Sequence, residues 1–157
     1  MNTSKIHYDF NGYGEYPLSE GEHMIRDRIL ECMNGLRKKN ETCLNKAQDE
    51  RREKLLSQIL SIKKRMDRIT DDMKKSIDEI YYKFEKISAT DEAAIRELDI
   101  RIEEKITQCS ETIDSLACSD TDMHISDRYT QIMQEIGEVE KLFHERIKKF
   151  KRMQVYG

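Results

Sequence analysis

Apolar residues recur every three or four positions over most of this chain of 157 residues. Such spacing puts them on one face of an α-helix, whereas a half-buried strand would show strict alternation. The clearest series comprises Ile59, Ile62, Met66, Ile69 and Met73. One proline and six glycines leave few positions at which a helix must end. The pattern therefore predicts an all-α protein built from long helices that pack along narrow apolar seams.

The composition fits helices with wide solvent-exposed faces. Charged residues make up 38% of the chain, against roughly 25% in ordinary globular proteins. High charge also favours intrinsic disorder, but a disordered segment would not show a sustained apolar period. No apolar run approaches the ~18 residues that a membrane span needs, and the first residues do not resemble a signal peptide. We expect a soluble, cytoplasmic protein with no membrane partner.

The longest apolar series predict three helices of similar length, over residues 58–87, 91–117 and 125–153. Short connections between helices of similar length favour antiparallel packing. Residues 58–157 are therefore predicted to form an antiparallel coiled coil arranged as a three-helix bundle. Residues 118–124 are rich in turn-forming residues and are expected to connect the second and third of these helices.

Residues 19–57 are predicted to form a helical extension outside that bundle. Ser19 and Glu22 make a capping-box pattern, which marks the start of a helix. Between residues 37 and 54 the apolar stripe thins and most side chains are charged, which is typical of a solvated helix held by ion pairs. Gly35 lies inside this helix, where glycine costs roughly 1 kcal/mol relative to alanine.

Two paths of the chain are compatible with the sequence near residue 90. Ser88 and Thr90, followed by Asp91 and Glu92, have the chemistry of a helix N-terminus and favour a break. No glycine or proline lies among these residues, so one continuous helix is the alternative. A break gives the three-helix bundle, whereas a continuous helix leaves an apolar stripe exposed for a partner.

Charge is distributed unevenly along the chain. Residues 90–124 contain ten acidic and three basic residues. By contrast, residues 59–89 contain eight basic and six acidic ones, and residues 125–157 seven and five. Opposite charges on neighbouring helices help to select the pairing in a coiled coil. We therefore expect the acidic helix to lie between the two basic ones.

Residues 1–18 show neither a helical nor a strand period. Four of the eleven aromatic residues of the chain lie here among glycines, namely Tyr8, Phe10, Tyr13 and Tyr16. Disordered segments are usually poor in aromatic residues. We predict an extended arm whose rings bind a groove on a partner protein; an unstructured terminus is the alternative.

A cationic run ends the last predicted helix. Residues 146–152 contain five basic residues with apolar residues between them. Lysine and arginine near a helix C-terminus stabilise the helix dipole, which accounts for them without a partner. Contact with an acidic surface is the functional alternative. On that hypothesis Lys148, Lys149, Lys151 and Arg152 are candidate partner-binding residues.

The sequence contains no recognisable pattern of catalytic, cofactor-binding or metal-binding residues. The four histidines are scattered along the chain, and none has a nucleophile or an acid at a recognisable spacing. Glycine-rich phosphate-binding loops are missing as well. The cysteines form no C-x-x-C pair and are expected to be buried free thiols; they are Cys32, Cys43, Cys109 and Cys118. We expect no enzymatic activity, no metal and no cofactor.

These expectations favour a non-enzymatic scaffold protein that docks onto a larger protein assembly, above all a cytoskeletal filament of the microtubule or axoneme type. One alternative is a helical adaptor that pairs with a partner's coiled coil and self-associates when alone. Another is a ribosome- or nucleic-acid-associated factor acting through its basic helices. The net charge of −3 provides no overall positive field, which argues against nucleic acid.

Overall fold

A computed structural model describes residues 18–80, 89–116 and 122–156. Four α-helices account for almost all of them: α1 (Leu18–Asp49), α2 (Glu53–Ile80), α3 (Ala89–Ser115) and α4 (Asp122–Tyr156). The prediction of an all-α fold is confirmed. None of these described helices has an apolar stretch that is long enough to cross a membrane.

Cross-helix contacts define two antiparallel hairpins. In the first, the Asn40 side-chain amide of α1 donates to the backbone carbonyl of Ile59 in α2. In the second, Arg128 of α4 donates to the Ser115 hydroxyl of α3 over 2.7 Å. Because each contact lies near the point where one helix of the pair ends and the next begins, the two helices of each hairpin run in opposite directions.

The two hairpins pack side by side, with α1 against α3 and α2 against α4. The α2–α4 contacts join Gln58 to Ser126 at 3.2 Å and Asp72 to His144 at 4.0 Å. The residue numbers at these contacts increase in the same direction along both helices, so α2 and α4 are parallel. The same reasoning makes α1 parallel to α3, and the chain alternates up, down, up and down through the bundle.

The position of the acidic helix differs from the prediction. The described part of α3 packs on α1 and α4, and α2 packs on the same two helices. Helices α2 and α3 therefore lie at opposite corners of a four-helix bundle. Of the two basic helices that were expected beside α3, only α4 contacts it. The second neighbour of α3 is α1 instead of α2.

Helix α1 belongs to the bundle, which distinguishes the structure from the predicted three-helix bundle with an extension. Its apolar residues join a single core with those of the other helices. The buried members from α1 are Ile25, Ile29, Met33, Leu36, Leu44 and Ala47. The charged run that follows residue 37 leaves only a thin apolar stripe on α1. The residues of this stripe are still buried, because the partner helices supply the rest of the core.

A tight turn separates α1 from α2. It lies within residues 37–54, which were predicted to form part of one solvated helix. The amide of Arg52 donates to the carbonyl of Ala47 and that of Arg51 to Gln48, at 3.0 and 3.2 Å. This pair of bonds is the Schellman motif that ends many helices. Arg51 adopts the left-handed conformation with φ of 54°, a conformation that normally favours glycine.

The predicted break near residue 90 is confirmed. Helix α2 ends at Ile80 and α3 begins at Ala89, and the two helices run in opposite directions. The predicted connection at residues 118–124 overlaps the interval between Ser115 and Asp122, where α3 ends and α4 begins, although α4 already includes residues 122–124. The ends of α2 and α4 and the starts of α1 and α3 thus lie at one end of the bundle.

Replacing Gly35 by alanine is expected to raise the free energy of unfolding by about 1 kcal/mol, because alanine restricts the unfolded chain and favours the helix. A Cβ built at Gly35 meets no atom within 4 Å. Gly137→Ala is the matched control, since its Cβ would lie 3.1 Å from the Arg65 guanidinium and must displace it. Urea unfolding followed by circular dichroism measures both. Equal gains at the two sites would contradict this explanation.

Candidate functional site

Exposed cations gather where α2 and α4 end. Because Asp72 and His144 lie at the same level, the lysines just after Asp72 and the cations just after His144 share this end of the bundle. We call the following exposed residues the cationic end: Lys74, Lys75, Lys148, Lys151 and Arg152. None of the five forms an ion pair with another described residue, so their charges face solvent.

Two other cations of the predicted run have partners inside the molecule. The Lys149 ammonium lies 3.2 Å from the Asp91 carboxylate of α3. Arg146 is fully buried and binds Asp99 of α3 through its Nε atom, and its guanidinium lies 5.1 Å from the centre of the Phe150 ring. Arg146 and Lys149 thus hold α4 against α3, and the structure gives Lys149 a packing role beside its predicted partner-binding one.

Acidic neighbours reduce the positive potential of the cationic end. Along α2, Asp71, Asp78 and Glu79 lie within one turn of Lys74 or Lys75. On α4, Glu145 precedes Lys148 by three residues, and His144 lies 4.0 Å from Asp72. Helix α3 contains an excess of acids and packs against α4, so its negative charge lies beside the cations of α4.

The aromatic residues of the predicted arm, Tyr8, Phe10, Tyr13 and Tyr16, lie outside the described residues. Their attachment point is described, because α1 begins at Leu18. Helix α1 runs antiparallel to α2, so its start lies at the end of the bundle where α2 and α4 stop. Residue 17 therefore precedes a helix that begins at the same end of the bundle as the cationic end.

The bundle core contains several polar groups that the sequence pattern did not predict. Glu103 of α3 is only 4% exposed, and its Oε1 atom has no hydrogen-bond partner among the described residues. Burial, reinforced by Glu104 and opposed by Arg28, raises the pKa of Glu103 to about 7. A second buried carboxylate, Glu135 of α4, accepts a hydrogen bond of 3.0 Å from the Thr112 hydroxyl.

The described cysteines are free thiols. Burial raises the pKa of the Cys109 thiol, with a smaller effect of Glu135. Burial also raises the pKa of Cys43, and the nearby Tyr129 hydroxyl opposes the shift. Thiols held protonated in this way are weak nucleophiles. The described residues also contain no group of three or more metal-ligating side chains.

A cavity of about 440 Å³ opens at the other end of the bundle, beside the turn between α1 and α2. All four helices contribute to its walls. Its apolar lining comprises Ala47, Leu55, Ile59, Ile113, Leu116 and Ile125. Tyr129 and Cys43 add polar atoms to the wall. Sequence analysis did not predict this cavity, because it depends on how the helix ends meet.

Comparisons with known proteins gave no relative. No protein-family model matches the chain, no curated protein is significantly similar in sequence, and no solved structure matches significantly.

Proposed function

We propose that this protein is a non-enzymatic helical scaffold that docks onto an acidic surface of a larger protein assembly through the cationic end. The observation that supports the proposal is the concentration of unpaired cations at the end of the bundle where α1 begins. Five exposed cations on two parallel helices provide the electrostatic attraction. The aromatic residues Tyr8, Phe10, Tyr13 and Tyr16 supply apolar anchors of the kind that dominate binding energy at interfaces.

The bundle suits a scaffold because its apolar seams are already occupied. Residues from α1, α2, α3 and α4 form one core. The large exposed apolar residues of the described part, namely Met24, Leu60 and Ile100, lie on different helices. Isolated apolar side chains of this kind are normal for a protein surface. A helical adaptor would need an unpaired stripe for its partner, so docking through charge and through the arm is the better-supported mode.

We propose a cytoskeletal filament, such as a microtubule, as the assembly. A filament with an acidic outer face repeats the same binding site along its length. A cationic surface therefore finds many equivalent contacts there, and electrostatic attraction raises the rate of encounter. Such binding is expected to weaken as salt increases, because the charges of the cationic end are exposed and screened over about 8 Å at physiological ionic strength.

Reversing three charges of the cationic end, with Lys148, Lys151 and Arg152 all changed to glutamate, is expected to weaken filament binding on the order of tenfold or more. Co-sedimentation of the full chain with assembled microtubules, over a range of filament concentrations, measures the change. These side chains are exposed and form no ion pair with a described residue, so the helix content and thermal unfolding of the variant should match those of the parent protein.

The matched control reverses three exposed cations on the α1–α3 side of the bundle, namely Lys38, Lys46 and Arg101. It changes the net charge equally and should bind like the parent. Equal weakening by both triple variants would show a general charge effect and refute a defined surface.

A chain lacking residues 1–17 should also bind more weakly with unchanged helicity. Binding of the parent to RNA but not to filaments would favour the nucleic-acid alternative.

A further inference from the structure

The cavity beside the α1–α2 turn arises from a change in side-chain size along one seam. Most core positions of α1 hold isoleucine, leucine or methionine, but the last one holds Ala47. Its small side chain leaves space between the helix ends, which Leu55 of α2 and Ile125 of α4 border. The resulting volume of about 440 Å³ falls within the range of about 300–1,000 Å³ that is typical of small-molecule sites.

Charged side chains surround the mouth of this cavity in an uneven pattern. The Lys39 ammonium lies 2.8 Å from Asp114, and Arg52 binds Glu50 at the same distance. Lys46 lines the same cavity and forms no ion pair with another described residue. One cation at the rim is therefore left for an anionic group, while the acids of the rim are already neutralised by their partners.

We propose that this cavity binds a long-chain carboxylic acid, with the hydrocarbon chain among the apolar walls and the carboxylate at Lys46. The walls offer apolar contact from all four helices, which is what an acyl chain requires. The uncompensated positive charge at the mouth selects an anionic headgroup over a cationic one. Three other concavities of the described surface are lined mainly by charged and polar side chains. The inference is independent of the proposed docking function.

Calorimetric titration of the full chain with dodecanoate, below the concentration at which it forms micelles, tests the proposal. Dodecyltrimethylammonium has the same chain with the opposite charge and should bind more weakly. Lys46→Glu is expected to weaken dodecanoate binding about tenfold and to favour the cationic probe. Lys38→Glu is the matched control, because Lys38 is an equally exposed lysine of α1 outside the cavity, and it should bind dodecanoate like the parent.

Filling the cavity gives a second variant. Ala47→Leu adds apolar atoms inside the empty volume, so it should abolish binding while leaving the helix content and the unfolding temperature equal or higher. Bound dodecanoate should also slow alkylation of Cys43, which lines the cavity, but not of Cys32, which is half-buried elsewhere. No binding by the parent, equal binding of both probes, or unchanged binding by Ala47→Leu would each overturn the proposal.

Discussion

Replacing Glu103 by glutamine is expected to remove a pH dependence of up to about 3 kcal/mol from the free energy of unfolding. The carboxyl of Glu103 is buried in the α1–α3 interface, and its pKa is raised from 4.5 to about 7. In the unfolded chain the same group ionises near its ordinary pKa. As pH rises from about 4.5 to 7, the unfolded state releases this proton first, so the folded protein loses stability over that window.

The magnitude follows from the shift itself. A pKa displaced from 4.5 to about 7 corresponds to a few kcal/mol at about 1.4 kcal/mol per unit. Above the folded pKa the cost is constant, because the group is ionised in both states. Glutamine keeps the shape and the hydrogen-bonding capacity of the side chain without a charge. The variant should therefore be more stable than the parent at pH 8 and similar to it near pH 4.5.

Urea unfolding curves at several pH values from 4.5 to 8, recorded by circular dichroism, measure this effect. Glu104→Gln is the matched control, since Glu104 is the exposed neighbour of Glu103 on the same helix and loses the same charge. The control should keep most of the pH dependence of the parent, with a small reduction because Glu104 itself contributes to the raised pKa of Glu103. Parallel stability profiles for the parent and Glu103→Gln would mean that Glu103 does not titrate in this range, and the account of its burial would be wrong.

The apolar period predicted the helices well because burial of one helix face depends on local spacing. It did not predict how many helices share a core, because that depends on which faces meet in space. Helix α1 shows the difference. Its buried residues Ile29, Met33 and Leu36 keep the helical spacing, but the charged residues after them suggested an exposed extension. In the bundle those charged side chains cover the outside and the thin stripe is still buried.

The turn between α1 and α2 escaped prediction because the usual turn residues are missing. A glycine at the position of Arg51 would have marked the end of a helix. Arginine in the left-handed conformation costs roughly 1 kcal/mol or more, and the packing of the hairpin offsets that cost. A local sequence signal cannot report a conformation that only tertiary contacts stabilise.

The charge pattern predicted the cationic end in part. Lys148, Lys151 and Arg152 are exposed as expected, whereas Arg146 from the same run is buried. Its burial has a cause that the linear sequence hides, since the partner carboxylate of Asp99 lies 47 residues away in the chain. The arm residues Tyr8, Phe10, Tyr13 and Tyr16 remain a prediction, and the cavity at the opposite end follows from packing alone.

Asp99→Asn is expected to destabilise the protein by about 3–5 kcal/mol, because it leaves the buried charge of Arg146 without its carboxylate. Both side chains are only 1% exposed, so water cannot replace the lost partner. The pair joins α3 to α4 near the end of the bundle where α4 also holds its exposed cations. Urea unfolding at constant pH measures the loss, with circular dichroism at low temperature showing that the variant still folds.

An exposed pair between the same two helices provides the control. Lys105 and Glu138 lie 2.6 Å apart, but their side chains are 35% and 51% exposed, and such pairs are worth about 0–1 kcal/mol. Glu138→Gln should therefore cost little, although its ion pair is as short as the buried one. A large loss from Glu138→Gln, or a small one from Asp99→Asn, would contradict the role assigned to burial.

The double variant Asp99→Leu with Arg146→Met distinguishes two contributions to the free energy of unfolding. One is the cost of leaving the Arg146 charge without the Asp99 carboxylate, and the other is the net contribution of the intact pair. Replacing both partners by apolar residues removes the charge that has no compensation, so the double variant should recover most of the stability lost in Asp99→Asn. Recovery would show that the buried pair contributes little net stability relative to apolar side chains at the same positions. If the double variant is as unstable as the single one, the pair makes a net contribution through further contacts of Arg146, of which the stacking on Phe150 is the first to test.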